Sequence, residues 1–164
     1  MNDFPILTLK DLVFGPICND DISVLREIFE DSATRRFLPE LYSIVQTDEE
    51  LKRLIGTFEN LLLNRNGVLW GIRKGKIMMG IVAIIDIPTS PTILYAMHPQ
   101  YRSQGYMKES VRAIVRFVTE NGWCHYVQSE VYNENIVSLN ILKETGFEIT
   151  GQSEEKKYLR FNRS

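Results

Sequence analysis

The run Met97-His98-Pro99-Gln100-Tyr101-Arg102-Ser103-Gln104-Gly105-Tyr106-Met107-Lys108-Glu109 holds most of the chemical capability of the 164-residue chain. It joins a β-branched and bulky segment, Thr92 to Met97, to Met107, Val111, Ile114, Val115 and Val118, which repeat at helical spacing. A strand that passes through a polar glycine turn straight into a helix gathers free backbone N–H groups and the positive end of a helix dipole at one point. Such a point binds anions. Gly105 lets a phosphate approach the backbone with no Cβ in the way, and Arg102 carries a fork of donors suited to the same oxygens. An ordinary helix start with an incidental glycine would have the same sequence, so the turn alone leaves both readings open. Other phosphate loops are absent: there is no Gly-x-x-x-x-Gly-Lys-Ser/Thr and no Gly-x-Gly-x-x-Gly between the first strand and the first helix.

Further polar residues stand near element ends. Asn135 and Ser138 open a predicted helix and suit N-capping. Glu130 and Tyr132 fall near the end of one strand, where alternation puts both on one face. Either could act as a base or position a water. His98, between a strand end and Pro99, reads first as a loop histidine and second as a base. Glu109 suits the dipole of the helix that Gly105 opens.

The elements that must position these residues follow from periodicity. Ile6 to Phe14 reads as one strand, followed by a helix capped at Asn19 or Asp20 with the stripe Ile22, Leu25, Ile28 and Phe29. Thr47 and Glu50 form a capping box for a second helix with Leu51, Leu54, Ile55, Phe58, Leu61 and Leu62 inward. Val68 to Arg73 and Ile77 to Asp86 form a hairpin around Gly75, and Thr92 to Met97 adds another strand. The long helix ends near Asn121-Gly122. A strand from His125 to Tyr132, a helix from Asn135 to Glu144 stopped by Gly146, and strands at Phe147 to Thr150 and Lys156 to Phe161 complete the chain. This order predicts one domain over residues 1–164: an α/β (α+β) architecture whose mixed sheet carries helices on both faces.

Composition narrows the function. With 19 Lys+Arg against 21 Asp+Glu the net charge is −2, so no global basic field supports nucleic acid as a primary partner. No apolar run is long enough for a membrane span, and the N-terminus lacks a signal-peptide pattern. Cys18 and Cys124 stand far apart with no partner at ligand spacing, which predicts reduced thiols, a cytoplasmic location and no metal site.

Arg102-x-x-Gly105-x-Met107, preceded by Met97-His98-Pro99 and followed by Glu109, resembles the acetyl-CoA pyrophosphate loop of GNAT N-acetyltransferases. It looks most like the branch that acetylates ribosomal-protein N-termini, whose usual run is Pro-x-Tyr/Trp-Arg-Gly-x-Gly-Tyr-small-x-Glu. Ser103 replaces the usual glycine and Met107 the usual Gly or Ala. Asn135-Ile136-Val137-Ser138 through Lys143-Glu144-Thr145-Gly146-Phe147 is similar to a second family segment, in the expected order and about 30 residues downstream. The resemblance is good over residues 92–151. Residues 6–86 follow in element order, with the Trp70-Gly71-Ile72 to Met79-Gly80 hairpin similar to the family's and Arg36-Phe37-Leu38-Pro39-Glu40 a weaker match.

The resemblance implies a GNAT-like, mostly antiparallel twisted sheet of about seven strands and about four helices, with a splayed central parallel pair. It implies acetyl-CoA as cosubstrate, lying against Ala96, Met97, His98, Arg102, Ser103, Gln104, Gly105, Tyr106, Met107, Lys108, Asn135 and Ser138. The Met97 N–H would polarise the thioester carbonyl. The tyrosine that many members use as an acid is absent, since Leu142 stands there. Ser138 would instead hydrogen-bond the leaving sulfur, and Asn135 would order the pantetheine or a water. Direct attack by an amine needs no thiol nucleophile. The acceptor would be a peptide N-terminus or a small amine, the protein a monomer or homodimer, and a noncatalytic acyl-CoA-binding module is the rival reading.

Overall fold

The computed structural model describes residues 3–163. In chain order the elements are β1 (Leu7–Leu9), β2 (Leu12–Gly15), α1 (Ile22–Glu30), α2 (Ser32–Phe37), α3 (Pro39–Tyr42), α4 (Asp48–Leu63), β3 (Val68–Lys74), β4 (Ile77–Ile85), β5 (Thr92–Met97), α5 (Tyr106–Glu120), β6 (Tyr126–Tyr132), α6 (Ile136–Glu144), β7 (Glu148–Gln152) and β8 (Lys156–Asn162). Among the described residues this is eight strands and six α-helices, against the expected seven and four. The extra strand comes from the first segment. Lys10 takes a left-handed conformation at φ 55°, which folds Ile6 to Phe14 back on itself so that Leu7 pairs with Phe14. The extra helices are α2 and α3, each too short to show an apolar stripe; α2 is capped by the Asp31 carboxylate, which accepts from the Ala33 and Thr34 N–H groups, and Pro39 opens α3.

The start of α1 also differs from expectation. Its chain enters through a 3-10 turn at Asn19–Asp21, where the Asp21 carboxylate accepts from the Cys18 N–H at 2.9 Å. Half of the predicted capping box of α4 forms: the Glu50 N–H donates to Thr47 Oγ1 at 3.1 Å, while the Glu50 carboxylate accepts from the Thr47 hydroxyl at 3.2 Å and not from the Thr47 N–H.

Alternation along the strands divides the apolar side chains between two layers. Trp70, Ile72, Val82, Ile84 and Ile93 pack with Val111, Ile114, Val115 and Val118 of α5, and with Leu139 and Leu142 of α6. Leu69, Ile81, Ala83 and Ala96 face the other way, toward Ile22, Leu25, Ile28 and Phe29 of α1 and Leu51, Leu54 and Ile55 of α4. Each such buried aliphatic or aromatic side chain stabilises the fold by roughly 1.5–3 kcal/mol, so a charge at Val111 would cost more than any surface change.

The sheet runs β1-β2-β3-β4-β5-β6-β8-β7. Every neighbour is antiparallel except β5 and β6, the parallel pair. Among the described residues that pair has a single register position in the ladder, Thr92 opposite Gln128. From there β5 stays in register with β4 up to Gly80 opposite Met97, while β6 follows β8, so the two central strands splay. Gly80 is required on the closed side: a Cβ there would lie 2.8 Å from the Ala96 carbonyl oxygen.

Candidate active site

The splay opens a cavity of about 470 Å³, walled by β5, β6, α2, α6 and the first turn of α5. Its backbone chemistry is dictated by the ladder. The His98 N–H donates to the Met79 carbonyl at 2.8 Å, so in the alternating antiparallel pattern the N–H and C=O of Met97 and Tyr95 point away from β4, into the gap. At the apex the Ser129 hydroxyl donates to the Ile93 carbonyl at 3.4 Å, covering a group that β6 has begun to leave. Beyond that point the edge of β5 has no neighbouring strand.

At one mouth of the cavity the turn before α5 holds Ser103 at φ 64° and Gly105 at φ 83°. Gly105 is the N-cap of α5 and supplies no side-chain hydrogen bond. A Cβ on it would meet no protein atom within 4 Å, and Gly105 itself lines the cavity. The amides of Tyr106, Met107 and Lys108 therefore head a 15-residue helix without a side-chain cap, and all three residues line the cavity. The arrangement favours an anion through dipole and donors together.

Arg102 is turned differently from expectation. Its Nη2 donates to Asp31 Oδ2 at 2.7 Å and to Thr34 Oγ1 at 3.3 Å, so the guanidinium ties the turn to α2. Burial works against ionisation of Asp31, but Arg102 and the Thr34 and Ala33 amides outweigh it and hold the carboxyl below its ordinary value. Lys108 pairs with Glu144 at 3.4 Å and Glu109 with Lys10 at 3.3 Å. Met107 is buried in the core layer beneath the turn.

His98 is committed to structure. Its Nδ1 accepts from the Gln100 N–H at 3.1 Å, which leaves the proton on Nε2 to face Glu27 Oε2 at 2.9 Å. His98, Gln104 and Tyr132 lie outside the cavity lining, whereas Ala96, Met97, Arg102, Ser103, Glu130, Asn135 and Ser138 belong to it.

Asn135 and Ser138 divide their work. Asn135 Oδ1 accepts the Ser138 N–H at 3.2 Å and caps α6, so the Ser138 hydroxyl is not needed as a cap. That hydroxyl lies 2.5 Å from Tyr95 Oη. Burial pushes the Tyr95 phenol far above the ordinary tyrosine range. Tyr95 did not stand out in the sequence. The signal was there: alternation in Thr92 to Met97 places a polar-tipped ring between Ile93 and Met97, on a strand that borders the loop.

Glu130 and Tyr132 do share a face, opposite Ser129 and Val131. Lys156 Nζ lies 3.6 Å from Glu130 Oε2 and 4.8 Å from the centre of the Tyr132 ring, and the Phe37 ring of α2 packs tilted against that ring at 6.4 Å between centroids. Desolvation opposes the charge on Lys156, but Tyr132, Glu40 and Glu130 outweigh it and raise its pKa. Among the described residues no group of three His, Cys, Asp or Glu side chains is placed to hold a metal ion, and no helix is long and apolar enough to cross a membrane.

The family model of the acetyltransferase (GNAT) domain matches residues 11–148. The chain belongs to the GNAT acetyltransferases. No curated protein sequence matches it significantly. Among solved structures this GNAT acyltransferase is similar to RimL, a ribosomal alpha-N-protein acetyltransferase in complex with coenzyme A, at TM-score 0.86 and 15% identity over 96% of this chain and 98% of that one. It is similar to an acetyltransferase from Salmonella typhimurium that modifies the N-terminal serine of a 50S ribosomal subunit protein, at TM-score 0.84 and 14% identity over 98% of this chain and 100% of the other. A microcin self-immunity acetyltransferase, MccE, in complex with acetyl-CoA and AMP, matches at TM-score 0.78 and 10% identity over 94% of both chains. The mostly antiparallel sheet with its parallel pair, β5 and β6, is the fold shared with these structures.

Proposed function

We propose that this GNAT member transfers an acetyl group from acetyl-CoA to a primary amine, and that the amine is the α-amino group of a protein or peptide. One observation carries the reading: the bare edge of β5 leads to the uncapped start of α5 within a single cavity. The residues fit the cosubstrate. The amides of Tyr106 to Lys108, with the open space beside Gly105, suit a pyrophosphate, and the free edge of β5 suits an amide-bearing arm that adds to the sheet. Acetyl-CoA supplies the activated acetyl group.

The chain's own part is positioning and charge stabilisation. The Met97 N–H, aimed into the gap, donates to a carbonyl oxygen on which negative charge develops. The Ser138 hydroxyl donates to the sulfur that departs, in place of the absent tyrosine. Glu130, on the face that carries Phe37 and Tyr132, attracts the cationic amine and takes or relays its proton. Asn135 holds the first turn of α6 so that Ser138 stays at the gap. Residues 1–164 act together as one catalytic domain.

The test combines calorimetry with coenzyme A and an acetyl-transfer screen over peptides with different N-terminal residues and small amines. Micromolar binding with transfer to peptides is expected. Absence of binding at millimolar coenzyme A sinks the reading, transfer to small amines alone rejects the peptide acceptor, and binding without any transfer makes the protein a noncatalytic acyl-CoA module.

A further inference from the structure

We propose that Tyr95 is the positioning residue that aims the Ser138 hydroxyl into the cavity, an inference that rests on the acetyl-transfer reading above. Three other helical hydroxyls of this protein fold back onto their own helix. Ser110 donates to the Tyr106 carbonyl at 2.7 Å, Thr119 to Val115 at 2.8 Å and Thr57 to Arg53 at 2.8 Å, the usual four-residue back-bond. Ser138 instead reaches across the gap between α6 and β5 to Tyr95 Oη at 2.5 Å.

The direction of that bond follows from what each group can do. Both are hydroxyls that donate once and accept twice. Besides Ser138 Oγ, the one partner of Tyr95 Oη among the described residues is the Ser138 carbonyl at 3.4 Å, near the limit of a hydrogen bond. If Ser138 donated, the buried phenol proton would be left with that long contact alone, whereas a phenol that donates to Oγ places its proton on the 2.5 Å bond and leaves the serine proton free to face the cavity. Tyr95 therefore donates to Ser138 Oγ. The serine proton is then excluded from the phenol side and turns toward the cavity, which Tyr95 and Ser138 both line. Because burial keeps the phenol protonated well beyond neutral pH, this orientation holds throughout the working range.

The arrangement also strengthens the donor. A hydroxyl that accepts one hydrogen bond donates a better one, and the effect is largest away from bulk water. Ser138 is 9% exposed, so little water competes for the position. No proton moves to or from Tyr95: its contribution is the orientation of a neighbour, and the departing sulfur takes its proton from solvent after release.

Steady-state kinetics on Tyr95→Phe, Ser138→Ala and the double variant test the assignment, with acetyl-CoA and the fastest acceptor of the screen. Tyr95→Phe removes only the Oη and keeps the ring. The expected result is a fall in kcat of about tenfold, with KM for acetyl-CoA and the calorimetric Kd for coenzyme A within about twofold of wild type, because only an interaction made during reaction is lost. Ser138→Ala should fall at least as far, and the double variant should match Ser138→Ala alone, since Tyr95 acts through Ser138. A slow Ser138→Ala beside a Tyr95→Phe at wild-type kcat overturns the proposal, as does a double variant whose losses multiply. A Tyr95→Phe that loses coenzyme A affinity as much as rate also overturns it, since that marks a packing role. Wild-type kcat in Ser138→Ala overturns the role of the serine and this proposal with it, leaving acetyl transfer standing. Failure of the wild-type chain to transfer acetyl at all is the separate outcome that removes the function reading and this proposal together.

Discussion

Arg102 Nη2 lies 2.7 Å from Asp31 Oδ2, so one ion pair joins the turn at the mouth of the cavity to helix α2 on its opposite lip. Asp31 serves two structures at once, because the same Oδ2 caps α2 through the Ala33 and Thr34 amides at 3.1 and 3.2 Å. The side chain read from sequence as an anion ligand lines the cavity and is also engaged as a brace. Arg102→Ala, Asp31→Ala and the double variant should weaken coenzyme A binding to the same extent, by calorimetry, since each breaks the same link. Asp31→Ala should in addition lose about 1–2 kcal/mol of stability from the missing cap. An Arg102→Ala loss much larger than that of Asp31→Ala would restore direct contact with the anion.

Asp21 gives the second prediction. It is buried, with Arg73 Nη2 at 2.5 Å and the Cys18 N–H at 2.9 Å. Desolvation favours the neutral acid, but Arg73 and the Cys18 bonds outweigh it, so the folded carboxyl ionises below its ordinary value, as does Asp31. A carboxyl whose folded pKa is depressed adds stability that is present above the unfolded value, about 3.9, and is lost as pH falls through the lower folded value. Thermal melts should therefore be insensitive to these two groups above about pH 5 and drop steeply below about pH 4. Asp21→Asn should melt lower at neutral pH and lose part of the acid slope; an unchanged slope removes Asp21 as its source.

Ser103 occupies a left-handed conformation at φ 64°, at the position where the resembled loop has glycine. A side chain there costs about 1–2 kcal/mol, more than the unfolded-state entropy that glycine adds back. Ser103→Gly should raise Tm by about 2–4 °C and leave coenzyme A affinity equal or better. A lower Tm would mean that the serine side chain compensates its own backbone.

Gly105 is the fourth. Its φ of 83° strains any side chain, the space beside it is open, and the residue lines the cavity. Gly105→Asp should lower coenzyme A affinity by at least tenfold through a negative charge among the α5 amides. Gly105→Asn, which tolerates the left-handed region, should lose less and report the steric share alone. Equal affinity in Gly105→Asp and wild type would remove the pyrophosphate assignment.

Local signals account for much of this molecule. The stripe of α5, the Thr47 cap on the Glu50 N–H, the hairpin turn at Gly75 and the residue range of β5 are consequences of side-chain period and of neighbours within four positions, so the chain states them directly. The same locality explains the errors. The fold-back at Lys10 is set by pairing of β2 with β3, from Leu12 opposite Lys74 onward, and α2 exists through Asp31, whose cap is coupled to Arg102 across 71 positions.

What the sequence determined by itself was the set of amphipathic elements, the glycine turn feeding a long helix, and the order of the two motifs that mark a GNAT acyltransferase. Tertiary structure alone decided how far β5 and β6 stay together, since their separation after Thr92 and Gln128 depends on β4 and β8 holding one strand each. It also decided where the polar groups point. Arg102 turned to Asp31, His98 to Glu27 and Tyr95 to Ser138, because a buried or half-buried donor is satisfied by whichever acceptor the fold brings within 3 Å, however distant in the chain.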